Sequence, residues 1–411
     1  MSKIIPKEAD GKQFGWHLKF LILSWEYPPN VVGGLSRHVN GLAVELVESG
    51  NEVHVITAGN SELPSYELLK GVNVHRVMPL NNYDDNFLNW IAGLNLAIVY
   101  KAEKIADSMK FDIIHAHDWL VGTAAIAIKE SLSTPLLTTI HATEHGRNNG
   151  IYTEMQRVIH NKELQLIKES DQLIVCSEYM REELLTIFQA SPKKIAVIPN
   201  GVEQKDIKAD AEEYFPSLIN RKYIFSVGRM VKEKGYETII EAAEIAKETG
   251  QDIYFVIAGK GPMLDNYRNQ VREKKLENYL NFIGHVTDNQ RNDLLLKSEI
   301  AIFPSLYEPF GIVALEAMIL GIPTVVSEVG GLKGIVQHLQ TGLLMVPGDA
   351  KSVMENIDFL FRNPQRAKEI GNRGMKIVKS LYGWKNIASQ TTRVVEDTLL
   401  NKRVLDSEVS T

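Results

Sequence analysis

Short, continuously apolar runs rich in β-branched and aromatic residues recur along this chain, separated by segments with apolar residues at helical spacing. The first group is Leu18–Ser24, Val53–Thr57, Ile113–Ala116, Leu136–Ile140 and Leu173–Cys176. Between the first two, Leu35, Val39, Leu42 and Leu46 repeat at the helical period, with Gly33-Gly34 before them and Gly50 as a stop. The second group is Tyr223–Val227, Ile253–Ile257, Leu280–Ile283, Ile300–Phe303, Thr324–Val326 and Leu343–Val346. Runs of this kind read as strands buried on both faces, and their alternation with helices specifies parallel sheets covered on both sides. The polar stretch 203–221 divides the two groups. The expected fold class is therefore α/β: two doubly wound, Rossmann-like domains, 18–202 and 222–383, facing each other across a cleft. Residues 1–17 are expected as a disordered tail, 203–221 as a linker and 384–411 as a terminal helix and tail. A chain of 411 residues supplies two cores of ordinary size.

Composition narrows the classes of function. A formal net charge of −6 argues against non-specific nucleic-acid binding. The single cysteine, Cys176, falls in an apolar run and reads as a core thiol; no intrachain disulfide is possible, which points to a reducing compartment. The start of the chain lacks the apolar core of a signal peptide. The apolar-leaning stretch Phe87–Tyr100 is interrupted by Asn89 and Asn95 and is too short to span a bilayer. A cytoplasmic protein without a transmembrane segment is the expectation.

The most informative motif is Glu308-Pro-Phe-Gly-Ile-Val-Ala-Leu-Glu316, directly after the run Ile300–Phe303. Pro-Phe-Gly interrupts the backbone before a helix starts. Glu308 then sits in the loop at a strand's carboxyl end, and Glu316 about two turns into the helix. Between them the backbone N–H groups of Gly311, Ile312 and Val313 lack carbonyl partners within the helix and can receive an anion, with a carboxylate on either side for sugar hydroxyls. A diphosphate carrying a sugar at each end fits that pattern.

Other strand ends carry further candidates. In Val227-Gly-Arg-Met-Val-Lys-Glu-Lys-Gly235, Arg229 offers a planar fork of donors and Lys234 a compact charge. The alternative is a solvated turn. Gly33-Gly34 opens a helix and either lets amides approach a phosphate or makes a plain strand-to-helix turn. His141 closes the run Leu136–Ile140 and is either structural or a donor to a sugar hydroxyl. Asp118 ends another run, facing an acceptor or capping the next helix. Glu26 faces an acceptor or the solvent. Neither Asp-x-Asp, zinc spacing nor a G-x-x-x-x-G-K-[ST] loop is present. No metal or other cofactor is expected, and Gly259-Lys-Gly261 reads as a tight turn.

Taken together, these residues resemble the retaining GT-B glycosyltransferases, in particular family GT4, over about residues 18 to 400. The segment from Glu308 to Glu316 is similar to that family's E-x7-E. Arg229 and Lys234 match the paired basic residues of its donor site, Gly33-Gly34 its glycine loop, and His141 the histidine near the donor sugar. Within the family, Ser24-Trp-Glu-Tyr-Pro-Pro29, His115-Ala-His-Asp-Trp119 and Thr139-Ile-His-Ala-Thr-Glu144 resemble glycogen- and starch-synthase-type enzymes. One departure is that Val31 stands where the bacterial synthases carry the Lys of Lys-x-Gly-Gly.

The resemblance implies a metal-independent hexosyltransferase using a nucleotide sugar, ADP-glucose or UDP-glucose, and a carbohydrate acceptor: an α-1,4-glucan or a sugar phosphate. It assigns Glu308 to the transferred sugar, Glu316 to the ribose, and the segment ending at Val286 to the base. It also returns the terminal helix to the first domain. Rival readings are a lipid-linked or cell-surface acceptor, a nucleotide-sugar epimerase, and a sugar-nucleotide binder without turnover.

Overall fold

The computed structural model describes residues 17–31, 33–81, 83, 85–203, 214–218 and 221–409. The expected tail and linker lie largely outside these residues.

Eight strands form the first sheet: β1 (Lys19–Leu23), β2 (Glu52–Ala58), β3 (Tyr66–Leu69), β4 (Val72–Val77), β5 (Ile113–His117), β6 (Leu136–Ile140), β7 (Gln172–Val175) and β8 (Ile195–Val197). Their order is β3-β4-β2-β1-β5-β6-β7-β8. β1 pairs in parallel with β2 on one side and β5 on the other, so the winding direction reverses between β1 and β5. A crevice opens at such a reversal, beyond the carboxyl ends of the strands.

The second sheet has the same plan. β9 (Ile224–Val227), β10 (Phe255–Ala258), β11 (Leu280–Gly284), β12 (Ile300–Phe303), β13 (Thr324–Ser327) and β14 (Leu343–Met345) are ordered β11-β10-β9-β12-β13-β14. Every pairing is parallel, and the reversal falls between β9 and β12. Phe255, Ile257 and Phe282 on the strands are buried with Ile239, Ala243, Val353 and Ile357 from the helices Tyr236–Thr249 and Ala350–Arg362. Continuous burial along β10, β12 and β13 explains why these strands read as unbroken apolar runs.

Residue proximity divides the chain into two compact units. One runs through Thr139 and includes Lys162–Leu173 and the chain from Ala388 onward; the other comprises Ile140–Asn161 and Ile174–Ile387. The last helix, Trp384–Val409, thus ends in the first unit, where Lys402 Nζ donates to Ser133 O at 2.9 Å.

Sequence patterning missed β3, β4 and β8. β4 carries Asn73, His75 and Arg76 among its valines, which hides its apolar period, although His75 and Arg76 are themselves buried. β3 and β4 form a hairpin around Lys70-Gly71, both with positive φ, a turn that matches strand twist. The stretch Phe87–Tyr100 lies within a 20-residue helix, Phe87–Ala106. Among the described residues, no helix is long and apolar enough to cross a membrane.

Candidate active site

In the second unit, the loops that follow β9 and β12 flank the reversal point and are locked together. Leu306 and Tyr307 both donate backbone N–H groups to Glu233 O, at 2.8 and 3.2 Å. Gly235, at φ 64°, makes this approach possible: a Cβ there would lie 2.1 Å from Pro304 O. Across this junction Lys234 Nζ lies 2.6 Å from Glu308 Oε2, and Ser305 Oγ donates to the same oxygen at 3.3 Å. The Lys234 and Glu308 side chains are only 22% and 10% exposed. An ammonium has three donors, so this pairing leaves Lys234 with capacity for a second anion. Arg229, by contrast, is exposed at the end of β9, and among the described residues its guanidinium makes no hydrogen bond or ion pair.

The backbone of the Glu308 loop is pressed from below by Gly330 and Gly331, which the sequence reading did not single out. Gly331 N–H donates to Glu308 O at 2.9 Å. A Cβ on Gly330 would lie 2.1 Å from Glu308 O, and one on Gly331 would lie 2.3 Å from Pro309 O. Their signal was a glycine pair just beyond β13. Gly311 adopts φ 107°, and a Cβ there would meet Leu332 at 2.4 Å.

The helix begins at Ile312 and spans seven residues, Ile312–Met318. Ala314 and Leu315 N–H groups reach Gly311 O at 3.0 and 3.3 Å, so the Ile312 and Val313 amides precede the first internal bonds. Glu316 sits just over one turn in, not two, because the left-handed Gly311 delays the helix start. Its carboxylate pairs with Arg291 at 3.3 Å, a residue the sequence reading overlooked. Val286 is buried in the loop after β11, immediately before Thr287, which caps the helix Asp288–Lys297 with a reciprocal Thr287/Gln290 capping box.

His141 follows β6 and is half-buried. Burial, aided by the nearby Arg147 guanidinium, pushes its imidazole down to about 3, so at neutral pH the ring is uncharged and donates from one nitrogen only. The segment beyond it packs on the Glu308 loop: a Cβ on Gly146 would lie 2.4 Å from the Tyr307 hydroxyl. Arg147 pairs with Glu233 at 3.4 Å, and Ser177 Oγ donates to Pro309 O at 2.6 Å. Glu183 is buried beside Thr143 and Tyr179, and burial raises its carboxyl above the usual range. Cys176 is buried, as expected of a core thiol.

In the first unit, Gly33 and Gly34 open the helix Gly34–Glu48 after β1. Glu26 faces these amides, not the solvent. It is 3% exposed and accepts from Gly33 N–H at 3.2 Å and Ser36 N–H at 3.3 Å. Its loop is fixed by Ser24 Oγ donating to Glu26 O at 2.7 Å and by Arg76 Nη2 donating to Pro28 O at 2.7 Å. Asp118 is buried at φ 61°, ψ 173°, a conformation normally left to glycine. Its side chain does not cap the turn Trp119–Val121, which removes the capping role the sequence allowed.

Two doubly wound sheets, the second with an ion-paired lysine and glutamate and an exposed arginine at its reversal point, define a glycosyltransferase of GT-B architecture. Residues 32–205 match the family model described as Glycosyltransferase Family 4, and residues 210–377 match Glycosyl transferases group 1. An uncharacterized glycosyltransferase of Methanocaldococcus jannaschii is 36% identical over 92% of this chain and 97% of its own. Glycogen synthase of Mycobacterium tuberculosis is 32% identical, over 92% and 94% respectively. Sucrose-phosphate synthase from Thermosynechococcus elongatus has a similar structure, with a TM-score of 0.80 at 23% identity, covering 95% of this chain and 100% of that one. The chain belongs to glycosyltransferase family 4.

Proposed function

We propose that this chain is a retaining glucosyltransferase that moves glucose from ADP-glucose or UDP-glucose to an α-1,4-glucan or a sugar phosphate, without a metal ion. The observation that carries the reading is the Lys234–Glu308 pair at the reversal of the second sheet, with Arg229, whose guanidinium makes no hydrogen bond or ion pair among the described residues, exposed in the same loop after β9. The likeness to glycogen synthase supports glucose and a glucan.

In this mechanism Arg229, Lys234 and the Ile312 and Val313 amides neutralise the departing diphosphate, the electrostatic contribution that dominates most such reactions. The amides act as local donors, since a helix of seven residues has little macrodipole. Glu308 holds the transferred sugar, Glu316 the ribose, and the loop at Val286 the base. Neutral His141 donates a hydrogen bond to the sugar. The acceptor hydroxyl attacks the anomeric carbon on the face the diphosphate leaves, the carbon–oxygen bond to phosphate breaks, and the hydroxyl proton passes to the leaving phosphate oxygen. Asp118, held in strained backbone at the carboxyl end of β5, is reserved for the acceptor, together with the Glu26 loop.

The test is a panel of ADP- and UDP-sugars crossed with glucan, glucose 1-phosphate and lipid-linked acceptors, followed by nucleotide release and by the anomeric configuration of the product. Acceptor-dependent release with an α-linked product supports the reading. A rearranged sugar without acceptor would replace it with an epimerase, and trapping a glucosyl-enzyme would remove the same-face mechanism.

A further inference from the structure

Arg291 sits in the first turns of the helix Asp288–Lys297 and is 6% exposed, although a guanidinium carries a heavy desolvation cost when buried. Three side chains share it. Nη1 donates to Asp288 Oδ1 at 3.1 Å, Nε and Nη2 donate to Asn292 Oδ1 at 3.1 and 2.9 Å, and Nη2 lies 3.3 Å from Glu316 Oε1. Asp288 is the first residue of this helix, and the capping box at Thr287 ties the helix to the loop that contains Val286. Arg291 therefore joins the element after β11 to the element after β12 through one charge.

We infer that Arg291 is the positioning residue for ribose recognition, fixing the Glu316 carboxylate so that it reads the 2′- and 3′-hydroxyls in register with the base held beside Val286. The inference rests on the donor site proposed above. A carboxylate on a helix side chain has free rotation about its terminal bond. A planar guanidinium held by two further oxygens fixes the carboxylate's orientation before the nucleotide arrives, so less freedom is lost on binding. Because the same helix is capped at the base loop, a shift of that loop moves Arg291, and base and ribose are read together.

The experiment compares UDP and ADP with their 2′,3′-dideoxy forms by calorimetric titration, on wild type, Arg291→Met and Arg291→Lys, with thermal unfolding recorded for each. Wild type is expected to prefer the better hydroxyl-bearing diphosphate over its dideoxy form by roughly tenfold to hundredfold, as hydrogen bonds to a charged group allow. In Arg291→Met that preference falls to within about twofold, while the dideoxy form binds as it does to wild type; Arg291→Lys recovers part of the preference. A merely structural Arg291 would weaken both ligands equally and leave the ratio intact, which overturns the assignment. If Arg291→Met does not fold, Asn292→Ala, which frees the guanidinium on one side, is expected to halve the preference or more, and an unchanged ratio overturns the inference. A wild type that binds the diphosphates but ignores the hydroxyls overturns this inference alone. A wild type that binds neither nucleotide overturns the donor site with it.

Discussion

Lys234 Nζ and Glu308 Oε2 are 2.6 Å apart, joining the loop after β9 to the loop after β12 with the two side chains largely shielded from solvent. The cation proposed for the leaving diphosphate and the anion proposed for the transferred sugar are thus positioned by each other. Removing Lys234 takes away a phosphate donor and also leaves Glu308 without its counter-charge.

Lys234→Ala is accordingly expected to lower kcat/KM by about 100- to 1,000-fold, the range for loss of one preorganised donor. Lys234→Arg should recover part of it. Steady-state nucleotide release with a thermal melt checks this, and turnover within about threefold of wild type would remove Lys234 from the mechanism.

Arg229 is exposed, and among the described residues its guanidinium makes no hydrogen bond or ion pair, so its loss should cost function without stability. Arg229→Ala is expected to reduce kcat/KM by about 10- to 100-fold, with folding free energy changed by less than ~0.5 kcal/mol. A melt and a donor titration on the same preparation separate the two effects.

Glycines near the site should divide by geometry. Gly331→Ala puts a Cβ 2.3 Å from Pro309 O and must push the Glu308 loop, costing about 1–3 kcal/mol and much of the activity. Gly33→Ala meets nothing within 4 Å, and φ −158° suits any residue, so its stability should match wild type. Chemical denaturation of the two variants tests the contrast.

Acid should weaken the fold through His54 and His75, whose rings stack at 5.2 Å and whose Nδ1 and Nε2 atoms lie 3.0 Å apart. Burial, with the charges of Lys101 and His54, pushes His75 from 6.5 down to about 4. The folded value lies below the unfolded one, so the unfolded chain binds more protons between them, and stability is full above pH 6.5 and lost toward pH 4. The loss should be on the order of 2–3 kcal/mol, and His75→Phe should remove most of it, leaving the smaller contribution of His54, which burial also holds down. Urea denaturation across that pH range measures it.

Much of this was legible in the sequence because buried parallel strands announce themselves. Leu136–Ile140 and Ile300–Phe303 are strands over the expected residues, and Glu308 falls in the expected loop after the second of them, although Glu316 lies one turn into its helix and not two. What stayed hidden depends on contacts distant in sequence. Arg291 lies 25 positions before Glu316 and reads as an ordinary helical arginine until folding joins them. Gly259 and Gly261 read as a tight turn, yet a Cβ on either would strike backbone of the Arg229 loop, at Gly228 O or Met230 O. Glu26 reads as facing an acceptor or the solvent because nothing local shows that the amides of Gly33 and Ser36 return to it.

The most direct measurement is the affinity of wild type and the Arg229→Ala/Lys234→Ala double variant for UDP against UMP, and ADP against AMP, with EDTA present. Wild type should bind the preferred diphosphate at least about tenfold more tightly than its monophosphate, and the double variant should lose that difference. Equal affinity of wild type for di- and monophosphate, or a preference that survives in the double variant, would contradict the account.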